Sequence, residues 1–158
     1  MSGLGVAYAQ KAYAYVTRHS GGEDQLLVFR ERSDPGAGVQ VPKGGIDGDE
    51  TPAAAVRREL REEAGLVHDA PVFHLASDRW RRSDGKRVAR HFFHMPVEEP
   101  RDSWSHEVTG GGEDDGEVYE LSWRALPLST GLAKGMHAYV PLVAGGRRAR
   151  RTLTPESA

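Results

Sequence analysis

A chain of 158 residues fits one domain with a core of its own, and a formal net charge of −2 leaves no global polycation for indiscriminate nucleic-acid binding. There is no cysteine, which excludes disulfide scaffolds, zinc–thiolate centres and thiol catalysis. The N-terminal MSGLGVAYAQKAYAY lacks the basic-then-apolar layout of a signal peptide and no apolar run is long enough to span a bilayer, so a cytoplasmic location and no membrane partner are expected.

Residues 12–17 and 25–30 are predicted strands, joined by a turn at residues 19–22. Residues 33–38 form a predicted loop, and residues 39–42 a short extended piece that leads into Lys43-Gly44-Gly45. Thr51-Pro52 is a helix start, because threonine can cap the free amides and proline is tolerated at the first helical position. Ala53, Val56, Leu60 and Ala64 make one apolar stripe on that helix, and Gly65 stands where a left-handed cap is expected. Beyond it, residues 71–78, 87–97 and 117–126 are predicted strands. Residues 129–143 are assigned to a second helix, although Gly131, Gly135 and Pro141 weaken it. Residues 1–145 are taken as a single domain and residues 146–158 as a basic tail.

Glu59, Glu62 and Glu63 are spaced i, i+3 and i+4, so their carboxylates converge beside the apolar stripe and repel one another. An acidic run is usually a solvated face. A hard divalent cation is the other way to relieve the repulsion, since Mg²⁺ takes oxygen ligands and bridges carboxylates to phosphates. The surrounding text favours the cation. Gly44, Glu50, Arg58, Glu59, Leu60, Glu62, Glu63, Gly65 and Leu66 fall in the pattern G-x5-E-x7-R-E-U-x-E-E-x-G-U, where U is aliphatic. This stretch resembles the signature box of the Nudix hydrolase family.

The resemblance implies an α/β fold, an α/β/α sandwich around a mixed sheet with the box as a loop–helix–loop. It implies hydrolysis of a pyrophosphate bond in a nucleoside diphosphate derivative, such as a nucleoside triphosphate or dinucleoside polyphosphate, with Mg²⁺ or Mn²⁺. Carried over by position, Glu59, Glu62 and Glu63 would hold the metal with a carbonyl of the Gly44 loop, and Arg58 would orient the carboxylates. Either Glu62 or Glu113, in the acidic loop of residues 106–117, would serve as the general base. Glycine-rich polar loops are also plain surface loops, and Arg58 is also readable as an exposed helix arginine.

Lys43 is placed to meet a substrate phosphate. Arg81 and Arg90 belong to a cluster of basic residues around Ser83-Asp84-Gly85 that would either steer a polyphosphate or solubilise a hairpin rim. For Trp80, Phe92, Phe93 and Trp104, core packing outweighs stacking on a base. His91 and His94 point to opposite faces of a strand and make a poor metal pair. No proline stands about fifteen residues beyond the box and no tyrosine lies between Leu66 and Gly116, so marks of the ADP-ribose and dinucleoside polyphosphate subfamilies are missing. The expected partner is a small nucleotide or polyphosphate. Inositol pyrophosphates, RNA 5′ ends, a second copy of the chain and a non-catalytic nucleotide-binding role stand as alternatives. An isoprenoid diphosphate isomerase on the same scaffold is disfavoured by the absence of cysteine.

Overall fold

The computed structural model describes residues 7–143, and the basic tail expected at residues 146–158 lies outside them. The elements in chain order are β1 (Ala9–Ser20), β2 (Glu23–Glu31), β3 (Lys43–Gly45), α1 (Pro52–Ala64), β4 (Phe73–Arg81), β5 (Arg87–Pro96), β6 (Ser103–Glu107) and β7 (Val118–Ala125). All seven strands join one mixed sheet in the order β4-β5-β1-β2-β7-β6, with β3 paired to β1 off that path. Strand β1 runs parallel to β5 and antiparallel to both β2 and β3. Its C-terminal end pairs with β2 while its N-terminal end pairs with β3, so the loop that precedes α1 is anchored on the central strand.

Successive side chains of a strand point to opposite faces, which sorts the core into two layers. Ala12, Ala14, Val16, Leu27, Phe29, Phe93 and Met95 face α1, where they meet Ala53, Val56, Leu60 and Ala64. Tyr13, Tyr15, Leu26, Val28 and Phe92 face the other way and pack on Leu132, Met136 and Val140. Alanines on the helix side of β1 let α1 approach closely, and tyrosines fill the wider opposite layer. Phe92 and Phe93 are both core residues, one in each layer.

The mixed sheet with its box helix agrees with the expected α/β architecture. Two elements differ. The helix expected over residues 129–143 is replaced by two short 3-10 turns, Ala133–Gly135 and Val140–Leu142. Lys134 and Gly135 take left-handed backbone and Pro141 has no amide to donate, which together deny this stretch an α-helical ladder. Strand β6, not anticipated, pairs antiparallel with β7 at one edge of the sheet. Among the described residues no helix is long and apolar enough to cross a membrane.

Candidate active site

Helix α1 is held at both ends. The Thr51 hydroxyl accepts the Ala54 N–H at 3.1 Å, Pro52 opens the helix, and Gly65 closes it in the left-handed region. The carbonyls left free at the last turn find tertiary donors. The Glu62 carbonyl accepts from His106 Nε2 and from the Thr109 N–H, both at 3.0 Å, and the Trp104 indole N–H donates to the Ala64 carbonyl at 2.8 Å. Strand β6 and the glycine-rich loop after it are thereby tied to the end of α1.

With its apolar stripe against the sheet, α1 turns its acidic flank into a cavity of about 410 Å³, walled by Lys11, Lys43, Glu59, Glu62, Glu63 and Glu113 among others. Arg58 organises one side of it. Its guanidinium grips Glu50 with Nε and Nη2 at 2.7 and 2.9 Å, and Nη1 donates to Glu59 at 2.7 Å and Glu62 at 3.1 Å. Nη2 also reaches the Gly45 carbonyl at 2.7 Å, which pins the β3 loop to the helix. Gly44 lies so near Glu59 that a Cβ would overlap the carboxylate, and Gly110 stands in the same relation to Glu62.

Burial sets the electrostatics. The Glu63 carboxyl is pushed up to about 8, chiefly by burial, with Lys43 opposing and the charge of Glu59 adding to the rise. One of its oxygens accepts the Lys43 backbone N–H at 2.9 Å. Glu59 is also raised by burial, against the pull of Arg58, whereas Glu50 is lowered by its bond to Arg58. Crowded, partly desolvated carboxylates of this kind suit a hard divalent cation, and the donors are all oxygens. They are not a finished ligand set. Among the described residues no three acidic or histidine side chains are gathered tightly enough to hold an ion, because Arg58 and the Lys43 amide engage the carboxylates instead.

The NUDIX domain family profile matches residues 8–140. The chain belongs to the Nudix family. It is 77% identical to an RNA pyrophosphohydrolase of Acidiphilium cryptum over 27% of this chain and 28% of that protein. It is 48% identical to an RNA pyrophosphohydrolase of Gluconacetobacter diazotrophicus over 37% of this chain and 38% of that protein. The matches thus span well under half the length of these curated relatives. Among solved structures, a MutT Nudix hydrolase of Burkholderia pseudomallei superposes with a TM-score of 0.65 at 20% identity, over 88% of this chain and 100% of that one.

Within this Nudix domain the residues singled out by sequence separate into two groups. Lys43, Gly44, Arg58, Glu59, Glu62, Glu63 and Glu113 all border the one cavity. Arg81 and Arg90 do not. Arg81 is exposed on β4, and Arg90 is buried on β5 with its guanidinium bound to Asp78 at 2.8 and 2.7 Å and set against the rings of Tyr13, Trp80 and Phe92. Trp80 packs there, and Trp104 packs against the helix-side core while bonding to α1. Sequence reasoning missed Lys11 and His106. A lone lysine opening an apolar strand was the available signal for Lys11; the contact of His106 with the Nudix helix had none.

Proposed function

We propose that this Nudix domain hydrolyses a pyrophosphate bond in a nucleoside diphosphate derivative, with Mg²⁺ or Mn²⁺ held by Glu59, Glu62, Glu63 and the carbonyl of Gly44. The observation that carries this reading is the single cavity in which those box glutamates meet Lys43 and the Glu113 loop. A divalent ion bound there supplies charge neutralisation of the phosphates and a more acidic water. The chain's own groups do the rest. Lys43 holds a phosphate oxygen through its ammonium, and Arg58 keeps Glu59 and Glu62 aimed into the cavity. Glu113 takes the proton as water attacks phosphorus and the bridging P–O bond breaks. Glu62 is the competing base, but its carboxylate already accepts from Arg58, while Glu113 stands on the exposed loop.

A second reading takes the substrate as a phosphorylated RNA 5′ end, and it is favoured by the names of the two bacterial relatives. The test is a panel of nucleoside triphosphates, nucleotide sugars, dinucleoside polyphosphates, inositol pyrophosphates and 5′-triphosphorylated RNA, each with Mg²⁺ or Mn²⁺. Efficient turnover of one class, measured as kcat/KM and absent in chelator, supports the proposal. No cation-dependent cleavage of any of them contradicts it and leaves a ligand-binding Nudix protein.

A further inference from the structure

Three acids stand side by side in the loop between β6 and β7, and Glu113, Asp114 and Asp115 all border the box cavity. Their partners differ. The Asp115 carboxylate accepts the Gly111 N–H at 3.1 Å and closes the loop upon itself. The Asp114 carboxylate accepts the Tyr119 hydroxyl at 2.9 Å. Among the described residues no hydrogen bond or ion pair engages the carboxylate of Glu113.

Tyr119 belongs to the core. It is fully buried on β7 in the helix-side layer, and its ring stacks on Phe29 with centroids 4.0 Å apart and 11° between the planes. Close packing holds the ring, so its hydroxyl is a fixed point, and a buried phenol takes a partner. Burial first, then the charge of Glu63, keeps that phenol protonated, so it is a donor at any working pH.

The loop depends on such a point. Its two feet are joined by the Val108 N–H to the Glu117 carbonyl at 2.8 Å and by the Gly116 N–H to the Val108 carbonyl at 2.9 Å. Between the feet Gly110 and Gly111 take left-handed backbone, and glycines leave a chain its widest freedom. Of the side-chain hydrogen bonds made by residues 109–116, the bond from Tyr119 to Asp114 is the one that ties the loop to the core. Glu113 is the next residue along.

We propose that Tyr119 and Asp114 are positioning residues for the cleavage reaction: their hydrogen bond fixes the loop, and Glu113 is thereby held at the cavity with its carboxylate free to take a proton. What cleavage requires of Asp114 is a hydrogen-bond acceptor, not a charge. The proposal rests on reading the box cavity as the cleavage site and Glu113 as its base.

The full chain is compared with its Tyr119→Phe, Asp114→Asn and Asp114→Ala variants and with the double variant Tyr119→Phe/Asp114→Ala. With Mg²⁺, kcat and KM are measured on each substrate of the panel above, and amide hydrogen exchange is followed over residues 109–116. Tyr119→Phe keeps the stacked ring and leaves the exposed Asp114 to water, so the fold should survive. In Tyr119→Phe and in Asp114→Ala, kcat should fall about tenfold with KM changed less than about twofold, and exchange in the loop should quicken. Asp114→Asn should keep most of kcat, because its amide oxygen still accepts from the phenol. The double variant should lose no more than either single one, since both break the same bond. An unchanged kcat in Tyr119→Phe, a loss in Asp114→Asn as deep as in Asp114→Ala, or multiplied losses in the double variant would each overturn the proposal. If the wild-type chain cleaves no member of the panel, the hydrolase reading fails and exchange alone decides: quicker exchange in Tyr119→Phe upholds the anchor, and unchanged exchange removes it.

Discussion

Gly44 and Gly110 each stand against a carboxylate, Glu59 and Glu62 respectively, where a side chain would take the oxygens' place. Gly44→Ala is therefore expected to displace Glu59 and lower kcat by at least about tenfold, because misplacing a catalytic group by an ångström is that costly. Circular dichroism should show the fold retained, and an unchanged kcat would mean that the Glu59 carboxylate has no fixed task there. Glu113 and Glu62 are separated by substitution as well. If Glu113 is the base, Glu113→Gln should cut kcat by about a hundredfold or more and remove the acid limb of the pH–rate profile. An unaltered profile excludes Glu113 and leaves Glu62.

At the scale of the element, α1 was the most legible part of the chain because its signals are local. Thr51, Pro52 and Gly65 mark its ends, and they occupy the cap positions in the fold. Thr51→Ala should cost about 1 kcal/mol in denaturant unfolding through the lost bond to the Ala54 N–H. A cost well above that would point to a role beyond capping. Strand β6 escaped notice because Ser103, Ser105 and Glu107 face solvent and only Trp104 and His106 turn inward, too few apolar positions to signal a strand. The 129–143 segment carries the apolar residues of a helix, yet Gly131, Gly135 and Pro141 break it, and Leu132, Met136 and Val140 reach the sheet from irregular chain instead. Arg90 read as part of a basic hairpin rim since nothing local reveals Asp78, its cross-strand partner on β4. The box residues that border the cavity could be listed from spacing alone; the places of Lys11 and His106, which depend on strand register, could not.

For the molecule as a whole, the cavity gathers partly buried carboxylates, and pH should act on both stability and cation binding. The raised Glu63 and Glu59 bind protons more tightly folded than unfolded. Their contribution to stability is therefore complete below the ordinary carboxylate range and is lost as pH rises toward about 8. A cation that replaces those protons should bind more tightly as pH rises. Without divalent ions these groups should lower Tm from pH 5 to pH 8, and Mg²⁺ or Mn²⁺ should raise Tm more at pH 8 than at pH 6. A cation effect equal at both pH values would detach these glutamates from the metal. The central claim, that the α1 carboxylates hold a divalent cation, is tested most directly by soaking crystals of the protein in Mn²⁺ and measuring anomalous diffraction. A peak bounded by Glu59, Glu62 and Glu63 and lost in Glu63→Gln is the predicted result; well-ordered carboxylates with no peak between them would contradict it.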